Sequence, residues 1–211
     1  MKVTLCSMFR NSERYIPRYF DQIARLQEHV DIRLVLAEGD SVDLTPALVK
    51  GYATRSDTVL SIDHDGPDFG SVDHPQRWAQ ISVVVRGMLE HVGDPGDAFI
   101  WVESDLIWDP ETMLRLLKAG RCVAPLVKAS DDPQRLYDYW GPRQDGKVLN
   151  SQPPYFHFQY ADQYVKVDSC GSCFVIPGKD YPEVVDGWDG VWPFTANGRL
   201  WMDQEAIVRH P

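Results

Sequence analysis

Hydrophobic and polar residues follow two alternating patterns through the first 126 residues of the chain. Short apolar runs predict buried strands at residues 2–7, 32–37, 58–62, 98–102 and 122–127. Between these runs, apolar residues recur every three to four positions and predict helices at 16–26, 45–53, 75–89 and 110–117. Strand and helix alternating in this way predict an α/β domain with a mixed, mostly parallel sheet flanked by helices on both faces.

This alternation of strand and helix patterns ends after about residue 128. Residues 130–162 are rich in Pro, Gly, Asp and aromatic side chains, which predicts long loops of the kind that often form binding surfaces. Further strands are predicted at 165–167 and 173–176, a short helix at 188–196, and a closing extended segment at 200–210. No repeat or clear linker divides the sequence, so residues 1–211 are expected to form a single domain.

Composition narrows the classes of function. The chain has 211 residues, of which 44% are hydrophobic, and its 21 basic and 31 acidic residues give a formal net charge of −10. This charge argues against non-specific binding of nucleic-acid phosphates, although it is compatible with a local basic pocket. The sequence has no long uninterrupted apolar stretch and no secretory pattern at its start, so a soluble, cytoplasmic protein is expected.

Four cysteines are too few and too scattered for a zinc site. Cys170 and Cys173 form one CxxC pair, and neither Cys6 nor Cys122 supplies a second pair at zinc-site spacing. Ordinary reduced thiols, partly buried, are the expectation.

Acidic residues follow several of the predicted strands. Ligands of an open parallel sheet bind beyond the carboxyl ends of its strands, where segments 38–40, 63–65 and 103–105 would meet. Carboxylates gathered at one edge repel each other, and a hard divalent cation relieves that repulsion. The first strand runs into Ser7 to Asn11 without a glycine, so neither a dinucleotide fingerprint nor a P-loop is present. Phosphate would then be held by the metal and by side chains, with Arg10 and Arg77 as candidates.

Seven segments, spread over nearly the whole chain, together resemble glycosyltransferases of the GT-A fold. They are TLCSMFRNSERYI, LAEGDSVDLT, HPQRWAQISVVVRGML, FIWVESDLIWDPETMLRLL, YDYWGPRQDG, VDSCGSCFVIP and WMDQEAIVRHP. The similarity is closer to the mannan-polymerase-like and family 2-like inverting nucleotide-sugar transferases. It implies a nucleotide-sugar-binding half at 1–127 and an acceptor-side half at 128–211.

The resemblance implies a metal site. Glu103-Ser104-Asp105 occupies the place of the family's DxD motif, whose last carboxylate coordinates Mn²⁺ or Mg²⁺ and whose first faces the ribose or metal-bound waters. Asp105 is the implied ligand, and Glu103 differs from the usual Asp by one methylene. His210 matches a C-terminal histidine that completes this site in many such enzymes; a frayed tail is the alternative for that residue.

The resemblance also assigns the donor pocket. Ser7, Phe9 and Arg10 would line it, and Glu38 and Asp40 would contact the base and ribose of the sugar nucleotide. Because Glu-Gly-Asp-Ser is also favourable turn chemistry, a purely structural role for the second loop stays open.

The catalytic base and the stereochemical outcome are less defined. By resemblance the base is Asp186 or Asp189, on either side of Trp188, and a helix N-cap is the alternative role for each. Asp203-Gln204-Glu205-Ala206 resembles a motif of retaining transferases, but its apolar neighbours favour a strand. Inversion and retention therefore both stay open.

The acceptor side is expected around a glycine turn. By resemblance Asp168, Gly171 and Ser172 approach the sugar and the acceptor, and a hairpin turn is the alternative. Aromatic rings could stack on a sugar or a base, although most are expected to pack in the core; they are Trp140, Tyr155, Phe156, Tyr160, Trp188 and Trp192.

The resulting hypothesis is a metal-dependent transferase that moves a sugar from a UDP- or GDP-sugar to an acceptor hydroxyl. The acceptor could be a hydroxymethylated pyrimidine in DNA, because the chain also resembles TET-associated glycosyltransferases, or it could be a glycan or a lipid. A noncatalytic nucleotide- or carbohydrate-binding module is the rival class. A sugar-phosphate nucleotidyltransferase would need a glycine-rich basic loop after the first strand, which this sequence lacks.

Overall fold

The computed structural model of the protein describes residues 1–70, 72–133, 135–137, 141–148, 163–185, 188 and 194–211. Its strands are β1 (Lys2–Phe9), β2 (Asp31–Glu38), β3 (Thr58–Ser61), β4 (Ala98–Val102), β5 (Val123–Ala129), β6 (Arg143–Gln144), β7 (Lys147–Val148), β8 (Tyr164–Lys166), β9 (Cys173–Pro177) and β10 (Trp201–His210). Its helices are α1 (Ile16–Gln27), α2 (Thr45–Tyr52), α3 (Pro75–Leu89), α4 (Pro110–Lys118) and α5 (Tyr181–Val185). The strands and helices predicted for the first 126 residues are confirmed, with ends that shift by at most two residues.

The second half departs more from expectation. Helix α5 was not predicted, because five residues are too few to show a helical period. Most of the predicted helix at 188–196 lies outside the described residues, and its last residue begins a short 3-10 turn, Ala196–Gly198. The strands predicted near 165, near 173 and at 200–210 are confirmed as β8, β9 and β10.

Within the described ranges, eight strands form one mixed sheet in the order β3-β2-β1-β4-β9-β5-β10-β8. Strands β1 to β4 are parallel to one another, whereas β9 is antiparallel to both β4 and β5. Because both pairings of β9 are antiparallel, β5 runs in the same direction as β4, and so does β10, which is parallel to β5. The carboxyl ends of β1, β2, β4 and β10 therefore reach the same edge of the sheet.

Helices cover both faces of this sheet, as predicted. Buried apolar residues of α1, α2 and α4 pack on one face, and those of α3 and α5 pack on the other. Helix α1 illustrates the reason, because Ile16, Tyr19, Ile23 and Leu26 recur at helical spacing and all are buried. None of the helices in the described ranges is long and apolar enough to cross a lipid bilayer.

All four cysteines are buried and free of disulfides, as expected of ordinary thiols. Burial raises the pKa of Cys122 to about 11. The buried Cys6 and Cys173 thiols also have raised pKa values, because burial disfavours the charged thiolate.

Gly178, just after β9, lies against the loop that precedes β4. A Cβ at this position would lie 1.9 Å from the carbonyl oxygen of Gly96, and the Gly178 N–H already donates to the carbonyl of Asp97. Because backbone meets backbone here, we expect Gly178→Ala to lower the free energy of unfolding by about 1–3 kcal/mol, measured by chemical denaturation.

Gly51 in α2 is the matched control, because a Cβ there would meet no atom within 4 Å. Gly51→Ala should be neutral or stabilise the protein by up to about 1 kcal/mol, since alanine loses less entropy in a helix. A Gly178→Ala protein as stable as the unchanged one would contradict the close approach.

Candidate active site

A cleft of about 500 Å³ opens at the sheet edge where the parallel strands end. Its walls come from the loop after β1, the loop between β3 and α3, the first turns of α3, the loop after β4 and the end of β10. Seven residues named from the sequence line it: Phe9, Arg10, Arg77, Glu103, Ser104, Asp105 and His210. Residues from opposite ends of the chain are thus brought to one site.

Asp105 and His210 are in direct contact. His210 Nε2 lies 2.9 Å from Asp105 Oδ2. Backbone hydrogen bonds in both directions between Ile107 and Arg209 hold the loop after β4 against the end of β10. The histidine is therefore fixed by the sheet edge.

Two further contacts hold this pair. The Tyr137 ring stacks on the His210 ring at 3.5 Å between centroids, and Arg18 donates to the Asp105 carbonyl at 2.6 Å. The other carboxylate oxygen, Asp105 Oδ1, is buried without a hydrogen-bond partner. A buried, unpaired carboxylate oxygen is costly unless a ligand satisfies it, so this atom is suited to a cation.

Glu103 and Arg77 form the polar wall beside this pair. The backbone N–H of Glu103 donates to the carbonyl of Ser172 at 2.9 Å, which ties the loop after β4 to the start of β9. Burial lowers the pKa of Arg77, and the nearby Glu103 carboxylate opposes that shift. The guanidinium nevertheless stays charged at neutral pH, since arginine titrates far above it.

Arg10 extends into the cleft from the end of β1. Its Nη1 donates to Gln80 Oε1 at 3.3 Å, while its Nε is buried without a partner. The Asp68 carboxylate in the loop before α3 has a lowered pKa, chiefly because it accepts from the Gly70 N–H, with the charge of Arg10 contributing. Arg10 therefore brings a cationic group with unused donor capacity to the cleft.

Three residues assigned to the donor pocket are engaged with the protein itself. Ser7 is fully buried; its hydroxyl donates to the Val102 carbonyl at 2.6 Å and accepts from the Tyr19 hydroxyl at 2.8 Å. The buried Glu38 carboxylate accepts from the Ser41 N–H and the Ser61 hydroxyl. Asp40 is paired with His64. Their contacts to a donor stay predictions.

The predicted acceptor-side residues are spread around β8 and β9. Asp168 is exposed and accepts from the Gly146 N–H at 2.7 Å, whereas Gly171 and Ser172 are buried. Trp188 packs against other aromatic rings of the core, those of Trp101, Phe174 and Phe194. The remaining candidates lie outside the described residues: Trp140, Tyr155, Phe156, Tyr160, Asp186, Asp189 and Trp192.

The strand interpretation of residues 203–206 is confirmed, because they belong to β10. Asp203 is fully buried and paired with Arg115, which gives this carboxylate a structural environment. In the ranges that the structure describes, no three His, Cys, Asp or Glu side chains are grouped closely enough to hold a metal by themselves.

The cleft also contains residues that are not among those predicted from the sequence. They include Arg14, Tyr15, His64, Asp68, Phe69, Gln80 and Tyr137. The composition of the loop before α3, rich in Asp, Gly and His, was the available signal for three of them. Gln80 and Tyr137 have no comparable signal, because their positions depend on how α3 and the segment after β5 pack.

Comparison with known proteins adds a family and a fold. A sequence profile described as Glycosyl transferase family 2 matches residues 4–182. No curated protein sequence matches the chain significantly.

Solved structures similar to the chain include three proteins of low identity. The mannosyltransferase PcManGT from Pyrobaculum calidifontis, in complex with GDP-Man and Mn²⁺, is 14% identical with a TM-score of 0.56, over 99% of this chain and 56% of that one. TarS 1-349 from S. aureus is 14% identical with a TM-score of 0.55, over 100% and 60%. Glucosyl-3-phosphoglycerate synthase from Mycobacterium tuberculosis, with Mn²⁺, UDP-Glc and phosphoglyceric acid, is 12% identical with a TM-score of 0.53, over 100% and 71%. These identities show a shared fold, and the chain spans little more than half the length of the first two.

Proposed function

The chain belongs to glycosyl transferase family 2 and has the GT-A fold, and from this premise we propose that its cleft binds a nucleoside-diphosphate sugar and passes the sugar to an acceptor hydroxyl. Membership of the family makes the protein a glycosyltransferase. The donor, the metal and the acceptor are the proposed parts.

The contact between Asp105 and His210 carries the proposal. These two side chains meet at 2.9 Å at the carboxyl edge of the sheet, where ligands of open α/β sheets bind. Solved neighbours support the donor class, because the Pyrobaculum mannosyltransferase is described with GDP-Man and Mn²⁺, and the mycobacterial synthase with UDP-Glc and Mn²⁺.

The residues at this edge fit Mn²⁺ or Mg²⁺. Asp105 offers a buried carboxylate oxygen without a partner, His210 places its Nε2 2.9 Å from the other oxygen of that carboxylate, and Glu103 lines the same cleft. A carboxylate and imidazole set favours manganese over calcium. When bound, the cation would supply positive charge that stabilises the departing diphosphate.

The two arginines complete the binding of the diphosphate. Arg10 and Arg77 line the cleft from different elements, the end of β1 and the first turns of α3. Each guanidinium can donate several parallel hydrogen bonds to phosphate oxygens. Because both groups already line the cleft, their charges are in place before negative charge develops on the leaving group.

Proton transfer and acceptor binding are assigned to the other half of the chain. We propose Asp186 or Asp189 as the base that takes the acceptor's proton, and Asp168, Gly171 and Ser172 as the acceptor side. Trp140 and Trp188 are the proposed stacking rings. The assignment predicts that a variant of one of these two aspartates loses transfer while keeping donor affinity.

A hydroxymethylated pyrimidine in DNA is the proposed acceptor, with glycans and lipids as the alternatives. A flipped base needs only a local pocket, which is compatible with a net charge of −10. A panel of hydroxymethylated DNA, oligosaccharides and a lipid with a free hydroxyl group, each assayed with the same donor, decides among these classes.

Calorimetric titration tests the donor proposal. UDP- and GDP-sugars are titrated into the full chain with and without Mn²⁺, and binding that depends on Mn²⁺ is expected for one of the two. Donor hydrolysis measured in parallel separates an enzyme from a binding module, which would hold the donor without turning it over. Absence of binding for both donors, with and without metal, would overturn the proposal.

A further inference from the structure

Gln22 is a polar residue on the buried face of α1. Its neighbours on this face, Ile23 and Leu26, belong to the hydrophobic core, and Gln22 itself is only 1% exposed. Burying an amide without hydrogen-bond partners is unfavourable, and an apolar side chain at this position would avoid that penalty. The glutamine is therefore explained only by the hydrogen bonds that it makes.

Both polar atoms of the Gln22 amide bond to the loop after β4. Its Nε2 donates to the carbonyl of Leu106 at 3.2 Å, and its Oε1 accepts from the backbone N–H of Trp108 at 3.2 Å. Between these two residues lies Ile107, whose own backbone pairs with Arg209 of β10. One side chain of α1 and the last strand of the sheet thus hold the same three-residue stretch of the loop.

Arg18 contacts the same loop from one turn earlier on α1. Residues four positions apart lie on the same face of a helix, and Arg18 Nη2 donates to the carbonyl of Asp105 at 2.6 Å. The Arg18 guanidinium also lies over the Tyr15 ring, 5.3 Å from its centroid, an attraction that favours this position. Helix α1 therefore makes three hydrogen bonds to the backbone of the segment that begins with the candidate metal ligand.

Resting on the proposed function, we propose that Gln22 and Arg18 are positioning residues, which hold the backbone of Asp105 where its carboxylate can bind the cation. A loop has no ladder of backbone hydrogen bonds along its length, so its buried N–H and C=O groups need partners from elsewhere. The unpaired Asp105 Oδ1 is carried by the backbone that these side chains hold. Groups that orient a metal ligand in this way typically change metal affinity by about 10–100-fold when they are removed.

Manganese binding measured without turnover tests this assignment. The full chain is titrated with Mn²⁺ in the presence of UDP and, separately, of GDP, and free Mn²⁺ is followed by electron paramagnetic resonance. Gln22→Met fills a similar volume but forms neither hydrogen bond, and Arg18→Met removes the third. Each variant should weaken Mn²⁺ binding by about tenfold or more. The thermal midpoint of each variant, measured in parallel, shows that the protein being titrated is folded.

Further measurements separate positioning from a general loss of stability. Arg18→Lys retains a cationic donor for the Asp105 carbonyl and should recover part of the affinity that Arg18→Met loses. Gln27→Met and Arg25→Met replace exposed residues of the same helix and should leave Mn²⁺ affinity unchanged. Sugar transfer by Gln22→Met should rise as the Mn²⁺ concentration is raised, because the metal ligands themselves are still present.

The outcomes distinguish this inference from the proposed function. If the unchanged protein binds Mn²⁺ and both folded methionine variants bind it equally well, the three hydrogen bonds are merely structural; the inference is then overturned and the proposed function stands. If the unchanged protein binds no Mn²⁺ with either nucleotide, the proposed metal site and the inference are both overturned. Should Gln22→Met not fold, Arg18→Met decides, because Arg18 is only half-buried.

Discussion

Replacing Asp105 with asparagine is expected to reduce sugar transfer by about 10²–10³-fold or more while the protein remains folded. Asparagine keeps the size of the side chain and an oxygen for the contact with His210 Nε2, now 2.9 Å from the carboxylate. It removes the negative charge and replaces one of the two carboxylate oxygens. With His210 still bonded to the remaining oxygen, the atom that is lost is the buried and unpaired Oδ1. The measurement is the transfer rate, or donor hydrolysis, at several Mn²⁺ concentrations, together with the thermal midpoint.

Asp109→Asn is the matched control for this experiment. Asp109 lies four residues after Asp105, between β4 and α4. It is exposed, its side chain makes no capping hydrogen bond to α4, and its carboxylate lies 4.0 Å from the Arg25 guanidinium. We expect this variant to transfer sugar at the rate of the unchanged protein. An Asp105→Asn enzyme with full activity at low Mn²⁺ would remove Asp105 from the metal site and with it the proposed role of the cleft.

The sequence was sufficient to predict which strand ends carry the candidate metal ligands. Asp105 follows an apolar run of five residues, and His210 ends an extended segment, so both could be placed at ends of strands. The distance between them could not be predicted, because it depends on β9 being inserted antiparallel between β4 and β5. That pairing joins residues far apart in the chain, and no local pattern encodes it.

Tertiary contacts that the sequence does not reveal also explain why some predicted donor-binding side chains bond to other residues of the protein. Ser7 lies inside a strand, where side chains alternate between two faces, and a short apolar run does not reveal which face opens on the cleft. For Glu38 and Asp40 the turn chemistry was recognised, but their partners Ser61 and His64 come from the next strand and its loop. Their side-chain directions are therefore set by tertiary contacts rather than by the turn alone.

Arg115→Ala is expected to lower the free energy of unfolding by about 3–5 kcal/mol, because it leaves the buried carboxylate of Asp203 without its ion-pair partner. Arg115 Nε in α4 lies 2.6 Å from Asp203 Oδ2, and its guanidinium also contacts Glu205. The hydrogen bond to Asp203 raises the pKa of Arg115. Asp203 is completely buried in β10, so without the arginine its charge is left in the interior with the Gln163 amide and the Glu205 N–H as its remaining donors.

Two comparisons identify the buried charge as the cause. Arg25→Ala removes an arginine from an exposed pair with Asp21 on α1 and should cost no more than about 1 kcal/mol, because water already solvates both groups. Adding Asp203→Asn to Arg115→Ala removes the stranded charge and should restore about 1–3 kcal/mol, as measured by a double-mutant cycle in urea. If the double variant were less stable than Arg115→Ala by the full cost of Asp203→Asn alone, the two side chains would be independent. The stability of the strand that carries His210 would then have to come from its pairing with β5 rather than from this charge pair.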